Sequence, residues 1–219
     1  MLSFAEENYL KSIYHLSEAG KKGVSTNTIA QSMRTRPASV SDMIRKLDRK
    51  GVISYVKYQG VKITGQGKKE ALRVIRKHRL WEVFLVQHLK FNWDQVHEVA
   101  EQLEHIKSPL LIRRLDKFLG HPKFDPHGDP IPDENGMMND KPRIPLAELK
   151  VGKEGMVVAV KDSDAPFLRY LDKIGAGLGT KIKVLDKIAY DGSIEIQIDK
   201  SKSLYISKQV GQNILITEH

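Results

Sequence analysis

The sequence predicts a mainly helical chain with a smaller β domain at its C-terminal end. Three observations carry that expectation. Apolar residues recur at the helical period through most of the chain up to Phe118. From Pro145 the pattern changes to alternation, as in Lys181-Ile182-Lys183-Val184 and Ile194-Glu195-Ile196-Gln197-Ile198. A connector rich in proline and glycine, His121 to Pro145, separates the two patterns.

The first helix is expected over roughly Phe4 to Glu18, with Leu10, Ile13, Tyr14 and Ser17 on one face. Ala19-Gly20-Lys21-Lys22-Gly23 ends it. Ser25 or Thr26 can cap a short second helix with Ile29, Ala30 and Met33 inward. After the turn Arg34-Thr35-Arg36, Pro37 suits the first turn of a third helix. That helix buries Val40, Met43, Ile44 and Leu47 and stops at Gly51. Val52 to Lys57 and Val61 to Thr64 read as two strands, with Tyr58-Gln59-Gly60 at the bend.

Three helices followed by a β-hairpin make a winged helix-turn-helix. Its third helix turns Ala38, Ser39, Ser41, Asp42, Arg45, Lys46 and Arg49 outward. Small and hydroxyl residues at its start allow close approach to phosphates and base edges. Arg34, Arg36 and Pro37 before it, and Lys57 and Lys62 on the wing, are further candidates for DNA contact. Asp42 repels phosphate but can accept a hydrogen bond from a cytosine amino group. The charge agrees. Of the net +9, residues 1–75 carry 14 Lys+Arg against 6 Asp+Glu, and the remainder 22 against 21. Basic charge concentrated in one segment is the footprint of a polyanion binder. The bland alternative is a winged helix used for protein contact.

The rest of the composition works mainly by exclusion. There are no cysteines, which rules out disulfides, thiolate metal sites and cysteine nucleophiles. No apolar run is long enough to span a bilayer, and Glu6 and Glu7 interrupt any signal-like start. A cytoplasmic protein without a membrane partner is expected.

A long helix is expected from about Gly67 through Leu85, a second over Trp93 to Ile106, and a third from Pro109 to Phe118. The excess of large apolar residues in this block suggests a dimer interface, and a two-fold dimer would match two DNA half-sites. Six of the 8 histidines lie between residues 78 and 127. On a helix, His97, Glu101, Glu104 and His105 fall at i, i+4, i+7 and i+8, one stripe. His78 and Glu82 repeat the i, i+4 spacing. Stacked imidazoles and carboxylates are how a divalent-metal site is built from oxygen and nitrogen donors. Such residues also serve as a solvated helix face or as buried polar groups with partners. Asp125 and His127 in a proline-flanked loop also serve as turn and capping groups. His15, His88 and His121 read as surface or packing residues. Beyond Pro145, about five short strands interrupted by a helix near Pro166 to Ile174 suggest a small barrel.

Three segments carry a resemblance: Glu6-Glu7-Asn8-Tyr9-Leu10-Lys11-Ser12-Ile13-Tyr14, Lys77-His78-Arg79-Leu80-Trp81-Glu82, and Val96 to His105. With Pro126-His127-Gly128-Asp129-Pro130-Ile131-Pro132, they make the chain resemble the diphtheria toxin repressor family of iron- and manganese-dependent regulators. The resemblance covers the whole chain. It implies a winged helix-turn-helix over 1–65, a helical dimerisation and metal-binding domain with linker over 66–144, and an SH3-like (FeoA-like) barrel over 145–219. It also implies a main metal site of Glu101, Glu104 and His105, joined by position 8, where this chain has Asn8 in place of methionine or aspartate. Some relatives add an acidic residue where this chain has Lys11. Glu7 is an alternative donor from the first helix. A second site is implied either as His78, Glu82 and His97 or as Glu82, Asp125 and His127, completed by a barrel carboxylate, Asp162 or Asp164.

The implied function is that of a repressor which binds palindromic double-stranded operator DNA as a homodimer when Mn²⁺ or Fe²⁺ is present and controls metal-uptake genes. Zn²⁺, Co²⁺ and Ni²⁺ suit the same donors in vitro. No catalytic residue and no small organic substrate are expected. Two readings stay open: a DNA-binding protein with a purely structural metal, and a metallohydrolase with Glu101 or Glu104 as general base.

Overall fold

A computed structural model describes residues 2–56, 60–138, 142–200 and 203–218. The chain forms two compact units that interleave along the sequence. The first comprises Met1–His78, Glu101–Leu115 and Pro132–Met138, and the second Arg79–Ala100, Asp116–Ile131 and Asn139–His219.

In the first unit, helix α1 (Phe4–Leu16) opens with a capping box. Ser3 Oγ accepts from the Glu6 amide at 3.3 Å, and Glu6 accepts from the Ser3 amide at 2.7 Å. Ser25 caps α2 (Thr26–Ser32). Helix α3 (Pro37–Arg49) starts with Pro37 inside its first turn. Strands β1 (Ile53–Val56) and β2 (Gly60–Ile63) pair antiparallel, Ile53 opposite Ile63. Leu10, Ile13, Ile29, Val40, Ile44, Leu47 and Val61 fill the core between them. The long helix α4 (Gly65–Gln87) sends Ala71, Leu72 and Ile75 into that same core.

Two more helices follow: α5 (Val96–Leu103) and α6 (Pro109–Phe118). Helix α5 is shorter than its apolar pattern predicts. Glu104 and His105 lie in the turn beyond it, where their side chains bond to α1 and α4. Pro109 also disfavours helix at the residue before it.

In the second unit, six strands form one antiparallel sheet in the order β3-β8-β4-β5-β6-β7. They are β3 (Ile144–Pro145), β4 (Glu154–Val160), β5 (Lys181–Lys187), β6 (Ile194–Ile198), β7 (Ser203–Ile206) and β8 (Ile214–Glu218). Helix α7 (Ala165–Ile174) follows β4, and α8 (Lys208–Asn213) precedes β8. Ile182, Val184, Ile194, Ile196, Leu168 and Leu171 make the core. The strand beyond the expected five is β3. At two residues, one of them proline at a sheet edge, it carries no alternation to read.

Candidate metal centres and nucleic-acid interface

The outer face of α3 is polar and open. Arg34, Arg36, Pro37, Ala38, Ser39, Ser41, Asp42, Arg45, Lys46 and Arg49 are all exposed, as is Lys62 on β2. Arg45 pairs with Asp42 at 2.5 Å across one helical turn, which offsets the one acidic charge on that face. Lys57 lies outside the described residues.

The first carboxylate–imidazole cluster belongs to the first unit. Glu104 is fully buried. Its Oε2 faces His78 Nδ1 at 2.6 Å. Lys11 Nζ donates to both its oxygens, at 2.7 and 2.8 Å. Burial opposes ionisation of Glu104, but the bonds from His78 and the charge of Lys11 outweigh it and hold its pKa below the usual carboxylate value. His105 turns Nδ1 to Glu7 Oε2 at 2.6 Å, and its ring lies 3.5 Å from that of Phe4, centre to centre. Glu101 stays half exposed, 3.5 Å from Lys11 Nζ. From α1 it is Glu7 and Lys11, not Asn8, that bond to this cluster among the described residues.

The second cluster belongs to the second unit and is drier. Glu82, Asp125 and His127 are all buried, and one donor atom from each lies within 4.8 Å of the others. His127 Nε2 sits 2.8 Å from the Trp93 carbonyl oxygen. A carbonyl only accepts, so Nε2 carries the proton, and neutral His127 presents a bare Nδ1. That Nδ1 is 3.7 Å from Glu82 Oε2. Asp125 Oδ1 accepts from the amides of His127 and Asp129, at 2.8 and 2.9 Å. Its other oxygen is 3.4 Å from Arg79 Nε, and Arg79 also serves Asp129 at 3.1 Å. Burial, then the charges of Glu82 and Asp129, push the Asp125 carboxyl well above the usual range despite Arg79. Burial alone would lower the pKa of His127, but Glu82, Asp125 and the Trp93 carbonyl raise it.

The β domain buttresses this cluster. The Val160 amide of β4 donates to the His127 carbonyl at 3.0 Å. Gly128 has φ +84°, and a Cβ there would stand 2.0 Å from the Val158 carbonyl oxygen. Trp93 is pinned through its indole N–H to Asp172 of α7 at 3.0 Å, and Asp94 to Arg169 at 3.1 Å. Asp162 accepts from the Asp164 amide at 3.0 Å in a local turn, and Asp164 precedes α7. Neither joins a donor cluster among the described residues. His97 is largely exposed, with Nδ1 3.6 Å from Glu82 Oε1. His78 belongs to the first unit, where it serves Glu104. His121 pairs with Asp116 at 2.7 Å, and His88 packs on Phe84 and Phe118, as expected of surface and packing residues. Sequence reasoning missed Arg79 and Trp93. Their only signal was an arginine beside a candidate ligand and a tryptophan just ahead of a helix.

Both clusters fit a divalent cation by their donors. In the first, His105 Nε2 is buried without a hydrogen-bond partner, 3.5 Å from Glu104 Oε1. The Glu7 carboxylate on Nδ1 fixes the tautomer that leaves Nε2 available, as carboxylates do behind metal-bound histidines. In the second, Glu82 and Asp125 are both buried, and Arg79, which pairs with Asp125, is divided between it and Asp129. An all-oxygen-and-nitrogen set suits Mn²⁺ and Fe²⁺.

Comparison with known proteins agrees along the chain. Residues 1–61 match the profile "Iron dependent repressor, N-terminal DNA binding domain". Residues 64–133 match "Iron dependent repressor, metal binding and dimerisation domain", and residues 144–218 match the FeoA domain. The iron-dependent repressor IdeR of Mycobacterium tuberculosis is 34% identical over 148 residues, 68% of this chain and 59% of that protein. The chain thus spans under two thirds of that relative's length. An uncharacterised HTH-type transcriptional regulator of Methanocaldococcus jannaschii is 31% identical over 54% of this chain and 94% of its own. A solved manganese-dependent transcriptional repressor, in complex with manganese, superposes with a TM-score of 0.90 at 35% identity, over 98% of this chain and 100% of that one. With a DNA-binding match, a metal-binding match and a structural likeness over nearly its full length, the chain belongs to the iron-dependent repressor family.

Proposed function

We propose that this chain is a metal-dependent transcriptional repressor that binds palindromic operator DNA as a homodimer when Mn²⁺ or Fe²⁺ is bound. It would act in the cytoplasm on genes of metal uptake. The observation that carries the reading is the pair of carboxylate–imidazole clusters in a chain with a basic winged helix. The first cluster, Glu101, Glu104 and His105 with Glu7 or Asn8, links α1 to the turn after α5. The second is Glu82, Asp125 and His127. A bound divalent cation supplies positive charge and directional bonds to these oxygens and nitrogens. Its effect on DNA binding requires that the DNA-competent arrangement hold it more tightly than the alternative. Support for the dimer comes from α6, which leaves Leu110, Leu111 and Phe118 exposed. No helix of the described residues is long and apolar enough to cross a membrane.

The test is operator binding titrated with Mn²⁺, with Fe²⁺ under anaerobic reducing conditions, and with Zn²⁺. Coupling of the usual size gives activation of about 5–150-fold. Glu104→Ala and His105→Ala should remain folded yet lose that activation. Equal operator affinity with and without metal would leave a structural metal, and an undiminished response in both variants would refute the ligand assignment.

A further inference from the structure

The two clusters differ in how their charge is balanced. In the second, the cation against the inner carboxylates is Arg79 on Asp125, which it shares with Asp129; Arg143 reaches Asp129, and Glu82 adds a further buried carboxylate. In the first, an ammonium is already in place. Lys11 Nζ reaches both oxygens of Glu104 at 2.7 and 2.8 Å and stands 3.5 Å from Glu101 Oε1. Lys77 Nζ lies 4.0 Å from the Glu7 carboxylate that holds His105. The two inner carboxylates, Glu7 and Glu104, thus have two ammonium groups beside them. The oxygens a divalent cation needs are the ones Lys11 holds, while the His105 Nε2 it needs has no hydrogen-bond partner among the described residues.

Resting on the metal-responsive reading above, we propose that Lys11 is a tethered resident cation of the Glu104 cluster, and must withdraw from those oxygens before they can serve a divalent ion. Lys11 then sets the metal threshold of this site. Its side chain is 15% exposed and so lies at the margin of the cluster. A four-carbon stem lets the charge swing out while α1 stays in place. In the metal-free protein the same contact joins α1 to the turn after α5, while His78 Nδ1 stays 2.6 Å from Glu104 Oε2. The site therefore exchanges one cation for another, and never leaves a fully buried carboxylate bare.

The test is Mn²⁺ binding followed by electron paramagnetic resonance on the full chain. A His127→Gln background weakens the second cluster so that the first is read. Lys11→Met removes the ammonium, Lys11→Gln keeps a hydrogen-bond donor without charge, and Lys11→Arg keeps the charge. Circular dichroism confirms folding of each. A hydrogen bond to a charged group is worth enough that both neutral variants should bind Mn²⁺ about tenfold more tightly or better. Lys11→Arg should bind no more tightly than the unsubstituted chain. Should only one neutral variant fold, that one decides. Unchanged or weaker Mn²⁺ binding in the neutral variants, equal tightening in Lys11→Arg, or absence of binding throughout would overturn the proposal. Operator DNA takes no part in the titration, so a failure of metal-controlled DNA binding is read separately.

Discussion

Asp125, a ligand of the proposed second centre, is placed where its charge works against the fold that holds it. Its carboxylate is buried near Glu82 and Asp129, with a share of one arginine to offset them. Two of its hydrogen bonds come from backbone amides, and an asparagine oxygen can accept both. Asp125→Asn should therefore leave the melting temperature of the metal-free protein unchanged or raised, while Mn²⁺ affinity falls about tenfold or more. Differential scanning fluorimetry with and without metal reads both effects. A metal-free protein strongly destabilised by the substitution would show that Asp125 serves as structure. At this scale the sequence was partly legible. Spacing and resemblance brought out Glu104, His105, Glu82 and His127. They did not show that Lys11 would hold Glu104, because 90-odd residues separate the partners and no local pattern encodes so distant a pair. The resemblance, not local spacing, brings in Asp162 or Asp164 as the barrel carboxylate of the second site. Asp162 instead closes a turn ahead of α7, a use that sequence favours equally.

Among the elements, the loop carrying Asp125 and His127 depends on β4. Gly128 lets the two backbones meet, and a Cβ there would overlap the Val158 carbonyl oxygen and the Ala159 Cα, at 2.0 and 2.6 Å. Gly128→Ala also places alanine at φ +84°. Together these should lower stability by about 2–4 kcal/mol in urea denaturation and weaken Mn²⁺ binding at the second cluster. A loss below about 0.5 kcal/mol would mean that the loop is free to move off the strand. Helix α3 and the hairpin were readable because cap, proline and period all agree within a few residues. Helix α5 is shorter than its apolar pattern predicts, because side-chain bonds of Glu104 and His105 to α1 and α4 lie where that pattern would continue the helix. Strand β3 was too short to be seen.

For the molecule as a whole, basic charge and metal donors divide the work. The excess of Lys+Arg lies in residues 1–75, where α3 turns its polar face outward, and all the acidic donors but Glu7 lie further along the chain. Phosphate attraction alone would bind any duplex, and more weakly as salt rises. Control requires that the donor clusters hold an ion and that the ion favour one arrangement of the chain. The winged helix, the helical block and the β domain were all legible, since each has its own period. The interleaving of the units was not, because α4 and α5 each continue through a boundary that a linear reading places between elements.

The most direct measurement is anomalous diffraction at the manganese edge from crystals grown with Mn²⁺. Peaks are expected among Glu82 Oε, Asp125 Oδ and His127 Nδ1, and beside Glu104 and His105 Nε2 with the Lys11 ammonium turned away. Crystals saturated with Mn²⁺ and showing no peak at either cluster would contradict the metal-dependent switch.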